Sequence, residues 1–239
     1  ANGLAYLDPD TAMNPHSLEA AIRAAGAVIL ATDLVMREEV ENAFCAVRPP
    51  GHHAGADFAM GFCIFNNVAV GVAHALAEYG LERIAIVDFD VHHGNGTEHI
   101  FRNEPRVLLC SSFQHPFYPH SGAIPSAHYR ALPLAAGSGS EAFHHAMETG
   151  CFPALRDFKP QIIFISAGFD AHTEDQLASL NLNEGDYAWV TRELKSIARE
   201  TAGGKIVSVL EGGYALDALG RSAVAHIVAL LEDEDWKRF

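Results

Sequence analysis

A chain of 239 residues that is 49% hydrophobic and 19% charged can form one domain with a large core, and its composition is ordinary for a soluble globular protein. Its formal charge of -14 excludes tight, direct binding to nucleic acid and favours cationic substrates such as lysine-rich tails or polyamines. No apolar run is long enough to span a bilayer and no secretory signal is present, so no membrane role is expected.

Helical and strand patterns alternate along the chain. Ser17 caps a helix to about Thr32, and a second helix is predicted near Arg37 to Glu41. Ala43 to Val47 reads as a strand. Arg48 to Gly61, with two prolines and three glycines, reads as a loop. An amphipathic helix over Asn66 to Tyr79 closes at Gly80. A strand over 83–88 follows, then a short helix near Thr97 to Arg102 and a strand over Arg106 to Ser111. Residues 113–139 are rich in Pro, His, Ser and Gly and are predicted to be mostly loop. The remaining elements are a helix over Ser140 to Phe158, a buried strand over Gln161 to Ser166 and a helix over Asn183 to Thr201. The last of these is capped by Asn183 and ended by Gly203-Gly204. A strand over Lys205 to Leu210 precedes a final helix, capped by Asp217, to about Leu231. This alternation implies a mainly parallel sheet covered on both faces, in one domain spanning 1–239.

Ligands of such sheets bind beyond the carboxyl ends of the strands. The unusual residues fall there after four strands: Arg48-Pro-Pro-Gly-His52-His53, Asp88 to His93, Gly168-Phe-Asp170-Ala-His172 and Glu211-Gly-Gly-Tyr214. Strand alternation sends Asp88, Asp90 and His92 to one side, with Phe89 and Val91 to the other. Two carboxylates and an imidazole at a strand end are costly to desolvate unless a cation joins them. Asp90, His92 and Asp170 together form a mixed nitrogen and oxygen set with positions left open, which suits a catalytic Zn²⁺, with Fe²⁺ or Co²⁺ also compatible. His52 and His53 can act as a general acid–base pair if their partners push their pKa values apart, and Asp88 and Asn95 are the available partners. Tyr214, after two glycines, can donate to an oxyanion. The four cysteines form no CxxC and read as reduced, mostly buried thiols of a cytoplasmic protein.

With these residues assembled, the chain resembles the zinc-dependent histone deacetylase family, of arginase-like three-layer α/β/α fold. The matching segments are Arg48 to Ala54, Gly61-Phe-Cys-Ile-Phe-Asn-Asn67, Asp88 to Gly96, Ser166 to His172 and Leu210 to Tyr214. Asn95 and the Leu-Glu-Gly-Gly-Tyr form look like the class II branch and its bacterial amidohydrolase relatives. The resemblance implies metal-assisted hydrolysis of acetylated lysine side chains, with Asp90, His92 and Asp170 as zinc ligands. It implies Asp88 behind His52, Asn95 behind His53, and Tyr214 as oxyanion donor. Gly61, Phe62, Tyr118 and, on the rim, Leu177 would line the substrate tunnel. It also implies K⁺ near the zinc, held by Asp88, Asp90, His92 and Ser111, and a second monovalent site near Phe101 and Val107. Family domains usually carry a longer N-terminal region, so part of the pocket rim is expected to precede Ala1. A homo-oligomer is left open.

Three rival readings share the fold. An acetylpolyamine amidohydrolase would use the same chemistry on a small cation. Leu177 slightly favours acyl-lysine, because one polyamine-selective branch has an acidic gatekeeper there. An arginase-like hydrolase with two Mn²⁺ would need an Asp where His172 stands. A non-catalytic binding module is disfavoured because Tyr214, both loop histidines and all three ligands are intact.

Overall fold

The computed structural model describes residues 3–232; the ends of the expected 1–239 domain, at 1–2 and 233–239, lie outside the described residues. Six parallel strands form the central sheet: β3 (Asn42–Cys45), β4 (Ile84–Asp88), β5 (Val107–Gln114), β6 (Tyr129–Leu134), β7 (Ile162–Ala167) and β8 (Ile206–Leu210). Their order across the sheet is β3-β8-β7-β4-β5-β6. The interior strands are apolar on both faces, as a doubly covered parallel sheet requires. In β4, Ile84 and Ile86 join one core and Ala85 and Val87 the other; in β7, Phe164 and Ile165 divide in the same way.

Helices α1 (Ser17–Met36) and α2 (Asn67–Glu78) cover one face through Val28, Val35, Val68 and Val72. The other face is covered by α4 (Ser140–Ala146), α5 (Phe152–Phe158), α6 (Glu184–Ala202) and α7 (Leu216–Leu231), with Leu155, Tyr187, Leu194 and Leu230 in its core. Short helix α3 (Asn95–Phe101) leads from β4 toward β5. Among the described residues, no helix is long and apolar enough to cross a membrane.

The site is positioned by the crossover between β4 and β7. These strands are hydrogen-bonded neighbours, with Asp88 opposite Ser166. After β4 the chain turns outward to β5, whereas after β7 it turns the other way to β8. The two loops therefore part at the strand ends and open the crevice where doubly wound sheets bind ligands.

Several expected elements differ. No helix spans 37–41: α1 runs on to Met36 and stops where Glu38 takes a left-handed φ of 58°. Ser17 is not the cap; His16 holds that position, and Asn14 Oδ1 accepts from the His16 amide. The α7 cap is Ala215, and Asp217 lies in the first turn, where a carboxylate suits the helix dipole. Residues 113–139 are not mostly loop at their ends. β5 continues to Gln114, and β6 pairs beside it from Leu109↔Tyr129 to Gln114↔Leu134. Pro133 disguises β6 in the sequence, yet a proline is tolerated there because β6 is an edge strand. The helix over 140–158 is interrupted by a π turn at Met147–Cys151. An unpredicted antiparallel hairpin, β1 (Ala5–Asp8) and β2 (Thr11–Met13), precedes α1.

Candidate active site

Four loops meet at the carboxyl edge of the sheet. β4 ends at Asp88, so Asp90 and His92 lie just beyond it. Phe89 and Val91 are still buried in the core, and this fixes the direction of their polar neighbours. Asp90, His92 and Asp170 form a group that could hold a metal ion, their three candidate ligand atoms all within 4.8 Å of one another. His92 Nδ1 lies 3.0 Å from Asp90 Oδ1 and 3.2 Å from Asp170 Oδ2. Each carboxylate is anchored by backbone: Asp90 Oδ2 accepts from the Gly212 amide at 2.8 Å, and Asp170 Oδ1 from the Val91 amide at 3.0 Å. Asp170 Oδ2 is buried and accepts no hydrogen bond from the described residues, which leaves a lone pair aimed at the centre of the group. A Cβ at Gly168 would collide with Asp90, and one at Gly212 with both carboxylates. Such an aimed acceptor, with three oxygen and nitrogen donors packed under glycine backbone, fits a divalent cation of the zinc type.

The histidine pair stands beside this group, and both residues are buried. His52 Nδ1 contacts Asp88 Oδ2 at 2.9 Å, and its Nε2 lies 3.7 Å from Asp90 Oδ1. His53 Nδ1 contacts Asn95 Oδ1 at 2.7 Å. An amide oxygen only accepts, so Nδ1 of His53 carries the proton and Nε2 keeps its lone pair. Burial works against a charged His52, but the Asp90 and Asp88 carboxylates outweigh it and hold its pKa well above the usual value. Burial and the neighbouring His52 push His53 well below its usual value. Adjacent residues in one loop thus hold opposite protonation states because one is backed by a carboxylate and the other by an amide.

Tyr214 sits mostly buried across the site. Its ring lies 6.0 Å from that of Phe62, and the Arg48 guanidinium lies 6.0 Å from its ring centre. Burial, with Asp170 and Asp90 nearby, drives the Tyr214 hydroxyl far up in pKa, so it remains a donor. Gly61 and Phe62 both have positive φ, and Phe62 is 44% exposed. Tyr118 stands edge-on to His53 at 5.3 Å and His92 at 5.8 Å. Leu177, 48% exposed, lies on the loop after β7. Ser111 is buried at the level of Asp88 in the next strand, while Phe101, the last residue of α3, and Val107, the first of β5, are also buried. His172 is turned away from the metal group: its Nδ1 accepts from the Glu174 amide, and Nε2 lies 3.5 Å from Glu184.

The histone deacetylase domain model matches residues 2–230. The chain belongs to the histone deacetylase family. It is 41% identical to a histone deacetylase-like amidohydrolase of Pseudomonas aeruginosa, over 87% of this chain and 57% of that protein. It is 40% identical to type-2 histone deacetylase 2 of Dictyostelium discoideum, over 95% of this chain and 15% of that protein. It is also 40% identical to a probable deacetylase of Archaeoglobus fulgidus, over 88% and 60%. The chain therefore spans less than two thirds of each of these relatives. Its fold matches the crystal structure of the HDA15 HD domain with a TM-score of 0.90 at 38% identity, covering 96% of this chain and 67% of that one.

Within this deacetylase-family site, sequence reasoning missed the residues that hold the loops in place. Glu211, fully buried, accepts from the amides of Gly51 at 2.6 Å and His52 at 3.1 Å and from Ser166 Oγ at 3.0 Å. It therefore ties the histidine loop to β7 and β8. Burial raises its pKa to about 7. Asp10, in the unpredicted hairpin, accepts from the Gly61 amide at 2.9 Å and the Tyr118 hydroxyl at 3.1 Å. Phe117 stacks on His92 at 5.5 Å. The position of Glu211 beside Gly212-Gly213 was a usable signal; residues 5–13 offered none for Asp10.

Proposed function

We propose that the chain is a catalytic domain for zinc-dependent hydrolysis of acetylated lysine side chains or similar acetylated amines, releasing acetate. The observation that carries this reading is the juxtaposition of the Asp90–His92–Asp170 group with His53, whose neutral Nε2 is the available base. Zinc held by those three residues would polarise the acyl carbonyl and acidify a water molecule. His53 Nε2 takes a proton from the attacking water as the new C–O bond forms, and the Asn95 oxygen keeps the ring in the tautomer that can do so. His52, charged against Asp88, stabilises negative charge growing beside it. The Tyr214 hydroxyl donates to the oxyanion. His53, now carrying that proton, or His52 then gives a proton to the leaving amine as the C–N bond breaks, so the products are acetate and a free amine. Phe62 and Tyr118 present flat apolar faces to the aliphatic stem of the substrate, and Leu177 lies at the mouth. The charge of -14 favours a cationic substrate context.

Class II character is supported by Asn95 and by Glu211 in its loop-holding place. K⁺ near the zinc is supported by the Ser111 hydroxyl, which is buried and makes no hydrogen bond among the described residues, beside the Asp88 strand end. The second monovalent site near Phe101 and Val107 has only the burial of those residues behind it. Four free, buried cysteines suit a reducing, cytoplasmic setting.

The experiment is turnover of an acetyl-lysine peptide and of acetylputrescine by zinc-loaded wild type and Tyr214→Phe. Wild type should turn over the peptide, and Tyr214→Phe should fold normally and lose about 10²–10³-fold in kcat. Near-wild-type turnover in the variant removes Tyr214 from the mechanism. A large preference for acetylputrescine reassigns the substrate to polyamines.

A further inference from the structure

Tyr214 is carried by a backbone that does not fix itself. Gly212 must lack a side chain, because a Cβ there would strike the Asp170 and Asp90 carboxylates. Gly213 has φ of 135°, a conformation that favours glycine. Two glycines in succession meet the need for close approach to the metal group, and they leave the next residue with little conformational guidance. Its ring is flanked by Phe62, itself on a half-exposed loop, and by Arg48.

Asp175 supplies the missing restraint. It belongs to the loop after β7, five residues beyond Asp170, and is 6% exposed. Its Oδ2 accepts from the Tyr214 amide at 2.7 Å and the Ala215 amide at 3.1 Å. Its Oδ1 accepts from the Leu177 amide at 3.0 Å, and its own amide donates to the His172 carbonyl at 2.9 Å. Ala215 caps α7 without any side-chain acceptor of its own, so the carboxylate of Asp175 also stands at a helix start, where negative charge is favoured. One buried carboxylate thus joins the loop that presents Asp170, the rim residue Leu177 and the backbone of Tyr214.

We propose that Asp175 is a positioning residue for the reaction, acting through the amides of Tyr214 and Ala215 to hold the tyrosine hydroxyl where the oxyanion forms. This rests on the reading of Tyr214 as the oxyanion donor. Among the described residues, the hydrogen-bond partners of the Asp175 carboxylate are backbone amides, and none belongs to the metal group. Removing its carboxylate therefore lowers kcat far more than it raises KM, and only while the tyrosine hydroxyl is present. Replacement by Asn keeps the side-chain volume but leaves one acceptor oxygen, and its NH₂ must face a backbone donor on the other side, so the side chain no longer ties Leu177 and the Tyr214–Ala215 amides together.

The test is a double-mutant cycle of Asp175→Asn and Tyr214→Phe on an acetyl-lysine peptide, with zinc per chain and thermal midpoint measured on each of the four proteins. We expect Asp175→Asn to lose about ten- to a hundredfold in kcat with KM within about threefold and full zinc content. In the Tyr214→Phe background the same substitution should cost less than about threefold. Wild-type kcat in Asp175→Asn overturns the proposal, as does an equal loss in both backgrounds, which would mark a role in stability alone. If Asp175→Asn does not fold, Ala215→Pro takes its place. The Ala215 φ of -78° suits proline, and the change deletes one of the two donor amides. It should lower kcat only when Tyr214 is present, and unchanged or background-independent kcat overturns the proposal. Full turnover in Tyr214→Phe alone would instead sink the oxyanion reading, a separate and recognisable result.

Discussion

The rim pair His52 and His53 and the core residue His226 are all buried, and they differ in what their partners leave free. In the loop after β3, His52 and His53 each spend Nδ1 on one partner, Asp88 or Asn95, and His52 Nε2 lies 3.7 Å from Asp90 Oδ1 of the candidate metal group. On α7, His226 spends both nitrogens: Nδ1 lies 2.6 Å from Thr191 Oγ1 and Nε2 2.8 Å from Ser208 Oγ. Phe44, Phe89 and Phe169 pack around its ring. Burial alone moves His226 down to about 3, whereas charged neighbours separate His52 from His53. Burial of a titratable group therefore does not mark a reactive site. The rim differs in leaving acceptor capacity unused among polar groups, as at Asp170 Oδ2, whereas Glu211 is fully engaged.

The comparison breaks most sharply at Asp170. Asp170→Ala should abolish stoichiometric zinc, measured as metal per chain by atomic absorption, and reduce turnover to background. Retention of both would dissolve the distinction between the rim and the core histidine. His53→Ala comes next, with a loss of about 10²–10⁴-fold in kcat at full zinc occupancy, the usual contribution of a positioned base. Asn95→Asp sharpens the point with one atom. A carboxylate behind His53 favours the imidazolium, so its pKa rises. The base must be neutral to work, so the acidic limb of the kcat/KM profile should move to higher pH. A profile that stays in place would show that the amide behind His53 does not set its protonation.

The rim was legible because each of four strands runs directly into chemistry-bearing residues, and because alternation past β4 continues in Phe89 and Val91 even where the ladder has ended. The assignment of Asp88 to His52 and Asn95 to His53 needed the family resemblance; spacing alone did not distribute the partners. What joins His92 to Asp170 is the return of β7 beside β4, a strand order that periodicity along one chain does not encode. β6 was hidden because an edge strand can contain Pro133 and half-exposed residues, a pattern shared with loops. Asp10 was hidden because a short, mostly exposed hairpin has no buried face to generate alternation. Asp175 was hidden for a different reason: its partners are backbone amides, which every residue has.

The smallest effect belongs to His226 and separates the two regions by pH instead of rate. Its folded pKa of about 3 lies below the ordinary value of 6.5, so the unfolded chain takes up the proton first. This contribution to stability is complete above about 6.5, declines as pH falls toward 3, and stops changing below that. His226→Leu removes the titration and leaves Ser208 without its partner, a cost of about 1–3 kcal/mol at neutral pH. The thermal midpoint of the variant should therefore lie below that of wild type at pH 7.5, and the gap should narrow at pH 4.5, where wild type loses what the variant no longer has. Turnover and zinc content at pH 7.5 should match wild type. A gap that stayed constant or widened on acidification would mean that His226 is protonated in the fold. A fall in kcat at full stability would place it in the reaction and erase the contrast between the two histidine environments.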